Sequence, residues 1–508
     1  MKHLLKSSTF IVLTAMLLSL AGCANTSRSS TSSSAKTNSS SASTSSTAKA
    51  AATKTSAGFS LPYTTVPSFN PLLPASQSNM ALWPLMYDCL AEPDTSYNPV
   101  KQLASSVTCS GTTVTVQLKS GVLFTDGTSL TASDVEYSYN LVKKHTESPY
   151  YARLSNIKTV AANGLTVTIT LGAADPLFAN MLDVPIIKSG SDAGNAIGTG
   201  RYTYIKNGVN ATLKLNKSWH KGSTSSFSTI PLVNIPASGA IMSCLAIGEV
   251  NYVYSDNGSG AATSATNTKT SSVNLNQLVF IGINSQKANL NNAHFRRALS
   301  LSLNRKLLVS QTFSDRASAC VAPFNPSWSQ LPKPTDTQLS ADFTAEATEM
   351  AAAGGASIKN ATFTLLVNQE NSVRTAAARY AASCFAKAGV TVTVKAVSFS
   401  DYNTLIKSGN FDMYIGETKL SNDMDISPFL ASGGAAAYAA VSNSSSLAAF
   451  NAWRSGSKDI KSVASAFAAE MPFIPLCYRM GSTSYTSGLS GVTATDGDIF
   501  YNFEKWSY

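Results

Sequence analysis

Residues 112–135, TTVTVQLKSGVLFTDGTSLTASDV, hold one complete unit of the fold. Val114, Val116 and Leu118 alternate with polar neighbours, the period of two expected of a strand buried on one face. Asp126-Gly127 is a turn signal, because glycine reaches backbone conformations that other residues avoid. Thr131 with Asp134 three residues later opens a helix, and Val135, Tyr139 and Val142 fall on one face of it. Leu165, Val167, Ile169 and Leu171 repeat the strand pattern. The chain here is a mixed α/β lobe.

Further on, residues 361–367 alternate, residues 373–388 carry a helical face of Ala377, Tyr380, Cys384 and Ala388 closed by Gly389, and residues 390–397 alternate again. Strand, helix and strand of these lengths predict a βαβ unit with a right-handed crossover. A second amphipathic helix is expected from His294, with Phe295, Leu299, Leu303 and Leu307 about a turn apart. No repeat of fixed period occurs, and no long low-complexity stretch follows residue 57.

The chain has 508 residues, 44% of them hydrophobic, and a formal charge of +10. Lys2 and Lys6 in the leader, and Arg28, Lys36, Lys49 and Lys54 in residues 24–57, are matched by no acid, so residues 58–508 carry only +4. A nucleic-acid binder would instead carry its basic residues as a stripe on a folded domain. Single cores stop growing near ~250–300 residues, so a folded part of this size is expected to divide into two or three lobes.

At the N-terminus, Lys2 and Lys6 precede an apolar run from Phe10 to Leu20, too short for the ~20 residues of a membrane-spanning helix. It reads as the core of an export signal. Leu20-Ala21-Gly22-Cys23 after it resembles the lipobox of bacterial lipoproteins, which implies cleavage before Cys23 and a diacylglycerol on its thiol. The alternative is an ordinary secretory signal with an incidental cysteine. Residues 24–57 contain only Ser, Thr, Ala, Asn, Lys and Arg, too little apolar surface to offset the entropy of ordering. They are expected to form a tether spanning about 30 Å. No later run is apolar enough to cross a bilayer, so the expectation is anchoring without spanning.

Six cysteines remain after Cys23: Cys89, Cys109, Cys244, Cys320, Cys384 and Cys477. Outside the cytoplasm disulfides persist, and the sequence leaves all pairings open. Cys89 and Cys109 are close enough for a local bridge, and Cys384 reads as a buried thiol. His145, His220 and His294 each sit beside cations and read as solvated surface residues. No nucleophile elbow, phosphate loop or His-Glu-x-x-His motif occurs. Glu417, Asp423 and Asp425 form a small acidic group without the glycine and distant glutamate of a calcium loop, and read as polar loop residues. No catalytic residue, metal or cofactor is expected.

Nine short strings stand in a fixed order along the chain. They are Phe69-Asn70-Pro71-Leu72-Leu73, Leu85-Met86-Tyr87-Asp88-Cys89-Leu90, Val114 to Asp134, Gly198-Thr199-Gly200-Arg201-Tyr202 and Gly248-Glu249-Val250-Asn251. Phe280-Ile281-Gly282-Ile283-Asn284, Phe295-Arg296-Arg297-Ala298-Leu299 with Asn304-Arg305, Gly409-Asn410-Phe411-Asp412, and Glu470-Met471-Pro472-Phe473-Ile474-Pro475-Leu476 complete the set. On these strings, over roughly residues 60–485, the chain resembles a bacterial extracellular solute-binding protein of family 5, the group that includes dipeptide-, oligopeptide- and nickel-binding lipoproteins of ABC importers.

The resemblance implies an α/β clam: two periplasmic-binding-protein-like lobes joined by hinge strands, with an inserted third, β-rich domain. Lobe one would comprise residues 58–83, 190–278 and 485–508, the inserted domain 84–189, and lobe two 279–484, with the Ala/Gly run at 351–357 as a loop. It implies a monomer that captures an extracellular peptide or peptide-like solute between the lobes, closes, and docks on a membrane permease. The protein would sit on the outer face of a single-membrane bacterium or in the periplasm otherwise. Peptide-binding relatives usually carry tryptophan and, three residues on, aspartate after the Phe-Asp pair; here those places hold Thr418 and Ser421. Glu417 or Asp423 would then meet a ligand ammonium, or Lys419 an acidic group. The candidate ligand residues are Asn70, Trp83 and Tyr87 from lobe one, and Asn325, Trp328, Glu417, Lys419 and Tyr478 from lobe two. The asparagines would bond ligand main chain and the rings would stack. Alternatives are a sensor that presents a ligand to a surface receptor, and a lipid-anchored hydrolase.

Overall fold

The computed structural model describes residues 58–508, apart from 223, 259–264, 356, 357, 359, 360, 435 and 440–443. The signal, the tether and Cys23 lie outside the described residues, as do two positions of the Ala/Gly run. Among the described residues no helix is long and apolar enough to cross a membrane.

The stretch 112–135 folds as its pattern dictates. Thr113–Leu118 is a strand with Val114, Val116 and Leu118 buried, and Ala132–Lys144 is a helix with Val135, Tyr139 and Val142 buried. The Thr131 N–H and hydroxyl both donate to Asp134 Oδ2, at 2.9 and 2.8 Å, closing the cap. Gly127 has φ +87°, and the Asp126 carboxylate takes the Thr128 N–H at 3.1 Å, which fixes the turn between them. Thr113–Leu118 lies second in an antiparallel sheet ordered Ala104–Ser110, Thr113–Leu118, Thr166–Leu171, Ile157–Asn163.

A second four-stranded sheet runs Leu61–Tyr63, Thr229–Asn234, Asn210–Leu215, Tyr202–Asn207. One apolar core joins it to the first sheet and takes in the C-terminal Phe500, Phe503 and Trp506 beside Phe59 and Tyr252. The close approach of residues 198–200 to 86–87 explains two glycines there. A Cβ on Gly198 would lie 2.3 Å from the Met86 oxygen, and one on Gly200 2.2 Å from the Met86 carbonyl carbon.

The other lobe is built on a seven-stranded sheet ordered Tyr252–Ser255, Phe473–Thr486, Thr268–Ile283, Met413–Lys419, Thr362–Asn368, Thr391–Val397, with Ala317–Ala319 also against Phe473–Thr486. Thr362–Asn368 and Thr391–Val397 are parallel and joined through the helix Ser372–Lys387, the predicted βαβ unit. Its core is separate from the first and includes Phe280, Leu299, Trp328, Phe385 and Phe473. Two buried arginines tie helices to the backbone of this lobe, Arg305 to a strand of the sheet itself. Arg296 donates to Met471 O and Leu290 O, both at 2.9 Å, and Arg305 to Pro475 O and Ser300 O, both at 2.9 Å. The protein is thus a two-lobed α/β clam whose lobes are linked by the long paired strands Thr268–Ile283 and Phe473–Thr486.

Four expectations change. The helix from His294 is broken into Ala293–Leu301 and Arg305–Phe313, because Asn304 caps the second piece by accepting the Leu307 N–H at 3.0 Å; Leu307 then turns outward, 47% exposed. Residues 351–353 are the last turn of the helix Phe343–Ala353 and no loop, with Gly354 and Gly355 at positive φ ending it. His220 is not solvated: its ring is buried with Nε2 3.3 Å from Asp88. Burial alone would raise the Asp88 carboxyl, but His220, Lys221 and Thr199 outweigh it and bring it to about 2. All six described cysteines, Cys89 and Cys109 included, are free thiols.

Candidate functional site at the hinge

The two long strands are in register from Thr268↔Thr486 to Asn274↔Met480, and again from Leu278↔Tyr478, so residues 275–277 fall out of the ladder. A bulge leaves backbone groups unpaired and bends the strand, and side chains take up these groups. The Asn276 N–H donates to Asp496 Oδ2 at 3.2 Å, and its amide to Leu420 O and Ser421 O at 3.2 and 3.1 Å. Asn325 donates to Leu275 O at 3.0 Å and to the Tyr97 hydroxyl at 3.1 Å.

Two recesses flank this break. One, of about 450 Å³, is walled by Asp94, Tyr97, Asn274, Asn422 and Asp496. The other, of about 480 Å³, is walled by Arg316, Asn371, Arg374, Glu417 and Arg479. In the second, Glu417 is held from both sides: Arg479 Nε meets Oε1 at 2.6 Å and Arg374 Nε meets Oε2 at 3.1 Å. Arg479 Nη1 also donates to Asp256 O at 2.5 Å. Carboxylate and guanidinium are both buried, which pairing alone makes tolerable.

Asn98, Asp175, Asn180 and Asp183 clasp the second lobe beside the first recess. Arg454 Nη2 lies 2.9 Å from both Asp175 Oδ2 and Asp423 Oδ2. Burial, then the charge of Asp423, push the Asp175 carboxyl up to about 7 against the pull of Arg454. Asn180 donates to Asn422 O at 3.2 Å, and the Asn422 amide to Asp183 Oδ2 at 3.0 Å. Ser329 Oγ reaches Asn98 Oδ1 at 2.7 Å.

Of the eight candidate ligand residues, the structure brings Glu417 into the second recess, Asn325 to the strand break and Lys419 beside the first recess. Lys419 is 54% exposed and pairs with Asp496 at 3.0 Å. Each Glu417 oxygen already faces an arginine, so its charge is offset on both sides before any ligand ammonium arrives. Asn70 lines a separate recess of about 200 Å³, and its side chain is engaged by Leu72 N, Leu73 N and Asp192 O. Trp83 lies in the first core. The Tyr87 hydroxyl donates to Ala196 O at 2.9 Å, and that of Tyr478 to Pro323 O at 2.6 Å. Trp328 is enclosed by Phe324 and Trp453.

Sequence reasoning passed over Arg316, Arg374, Arg479, Tyr97 and Asp496. One signal was available: Arg479 interrupts the apolar run from Phe473 to Tyr478, and a charge in a central strand needs a buried partner. Tyr97 and Asp496 lie in loops remote in sequence from their neighbours and left no pattern.

The residues 98–437 match the family model described as "Bacterial extracellular solute-binding proteins, family 5 Middle". The oligopeptide-binding protein AppA of Bacillus subtilis (strain 168) is 26% identical over 388 residues, 68% of this chain and 69% of the relative. Among solved structures, the unliganded open form of the periplasmic murein tripeptide-binding protein MppA superposes with TM-score 0.74 at 17% identity, covering 86% of this chain and 94% of that one. NikZ of Campylobacter jejuni, solved with Ni(L-His), superposes with TM-score 0.60 at 20% identity, covering 89% and 99%.

Proposed function

Because this chain belongs to the bacterial extracellular solute-binding proteins of family 5, we propose that it is the substrate-binding lipoprotein of an ABC importer, and that its solute is a peptide or peptide-like molecule. Cys23 carries the lipid, residues 24–57 tether the lobes to the cell membrane, and the closed form delivers its ligand to a permease. In this reading residues 58–83, 190–278 and 485–508 act as lobe one, 84–189 as the inserted domain and 279–484 as lobe two. Closure occurs by a hinge movement at residues 275–277. No bond of the ligand is broken.

The observation that carries the reading is the break in the paired strands at residues 275–277, flanked by two polar recesses, in a chain of this family. A peptide needs such a wall of hydrogen-bonding groups along its main chain. A nickel ligand is less well served, since neither hinge recess is lined by histidine. Native mass spectrometry of the protein as purified tests the proposal, the expected result being adducts whose released masses sequence as peptides. A single non-peptide adduct would refute the ligand class, and shortened products from an added peptide pool would refute a pure binding role.

A further inference from the structure

Arg316, Arg374 and Arg479 converge with Glu417 on the recess of about 480 Å³, so three cations face one anion. Glu417 is paired with both Arg374 and Arg479, and these two pairs leave other N–H groups over. Nε of Arg479 is spent on Glu417 and Nη1 on Asp256 O, while Arg374 uses only Nε in its pair. Arg316 makes no side-chain hydrogen bond or ion pair among the described residues, though its backbone is pinned by Phe313 O and Met480 N. The Asp256 carboxylate is not among the lining groups and takes the Gly258 N–H at 2.9 Å. The helix Ser372–Lys387 starts at this recess and Arg305–Phe313 ends there, so opposite helix ends meet and their dipoles offset. The side chains therefore decide the field, and it is positive.

A guanidinium held in place by a carboxylate is a rigid donor, and rigid donors beside an unpaired second arginine suit a bidentate oxyanion. We infer that this recess receives a side-chain carboxylate of the ligand, so that the transported class is acidic peptides or peptide-like solutes with an extra acid group. Arg316 and Arg374 contact the anion; Glu417, itself held by Arg479, is the buried support that aims Arg374, and Arg316 stands unpaired beside it. The inference rests on the proposed binding role and adds a charge preference to it. It also gives Glu417 a use opposite to the capture of an ammonium.

The test is affinity of the full-length protein for three short-peptide pools of one length, made from Ala and Ser alone, with Glu added, or with Lys added. The expected result is Glu-pool binding about tenfold tighter than the neutral pool, weakening with salt. In Arg316→Gln the ratio of acidic to neutral affinity should fall to within about threefold, and Arg374→Gln should act in the same direction. Unchanged far-ultraviolet circular dichroism would show that both variants fold. Equal affinity for all pools, or a preference for Lys, overturns the charge assignment and leaves peptide binding standing. An acidic preference that survives in both variants overturns the placement at this recess. Failure to bind any pool overturns the peptide reading itself, and the inference with it.

Discussion

The carboxylate pair that shares Arg454 makes stability depend on pH in a calculable way, and Asp175→Asn isolates the effect. Asp175 is 2% exposed, and its carboxyl is pushed up to about 7 by burial and then by Asp423. Burial also acts to raise Asp423, but Arg454 and the hydrogen bonds of Ser421, Arg454 and Asp175 prevail and hold it below the ordinary carboxylate range. Below about pH 7, and down to the lower titration of Asp423, the pair therefore binds one proton. A free aspartate titrates near ~4, so between ~4 and ~7 the folded clasp holds a proton that the unfolded chain does not. Stability from this source is full at the acid end of that window and is lost as pH rises through about 7. Going from about pH 5 to about pH 8, one such group removes about 2–3 kcal/mol. Asparagine at position 175 mimics the protonated acid at every pH and carries no such slope. Urea unfolding of both proteins at the two pH values is the assay, and the wild type should lose about 2–3 kcal/mol more than the variant. Glu92, raised to about 8 by burial and by Asp498, contributes a slope of the same sign, but it is present in both proteins and cancels. Parallel pH dependences of wild type and variant would refute the clasp as a proton-binding element.

Gly198→Ala should destabilise by about 3 kcal/mol or more, because its methyl would sit 2.3 Å from the Met86 oxygen and 2.4 Å from the Tyr87 ring, and thermal unfolding reads this directly. Trp328→Ala empties a site enclosed by Phe324 and Trp453 and should cost about 3–5 kcal/mol in urea unfolding, whereas a ligand-stacking role would leave stability near that of the wild type. Alkylation of the unreduced, denatured protein should label all six of Cys89, Cys109, Cys244, Cys320, Cys384 and Cys477, since each is a free thiol. In the native state burial should shield Cys89, Cys320, Cys384 and Cys477 from the same reagent.

What the sequence made legible was local. Period-two runs such as Val114, Val116 and Leu118 and the Thr131–Asp134 cap depend on neighbours a few residues away, and the strands and helix they predict are present. The helix from His294 shows the limit of periodicity, since Leu303 and Leu307 keep the spacing while Asn304 between them caps a new helix. The recesses are non-local: Arg316 comes from a loop, Arg374 from a helix and Glu417 and Arg479 from two strands, and their meeting depends on how strands far apart in sequence pair. Aromatic residues misled for a related reason. Tyr87 and Tyr478 have the chemistry of ligand contacts, but each hydroxyl finds a backbone carbonyl inside its own lobe.

Tyr97 bears on how long a ligand would stay. It lies on the segment that faces the second lobe, yet its ring, 5% exposed, is counted among the core residues of that lobe, and its hydroxyl accepts the Asn325 amide. Its backbone sits at φ 59°, a conformation that costs a bulky residue roughly 1–2 kcal/mol. Parting the lobes would withdraw this ring from apolar surroundings and break its hydrogen bond. Both effects would slow the opening step, so one side chain between the lobes would lengthen the dwell time. Residence of the captured solute would then be governed by a residue that need not touch it.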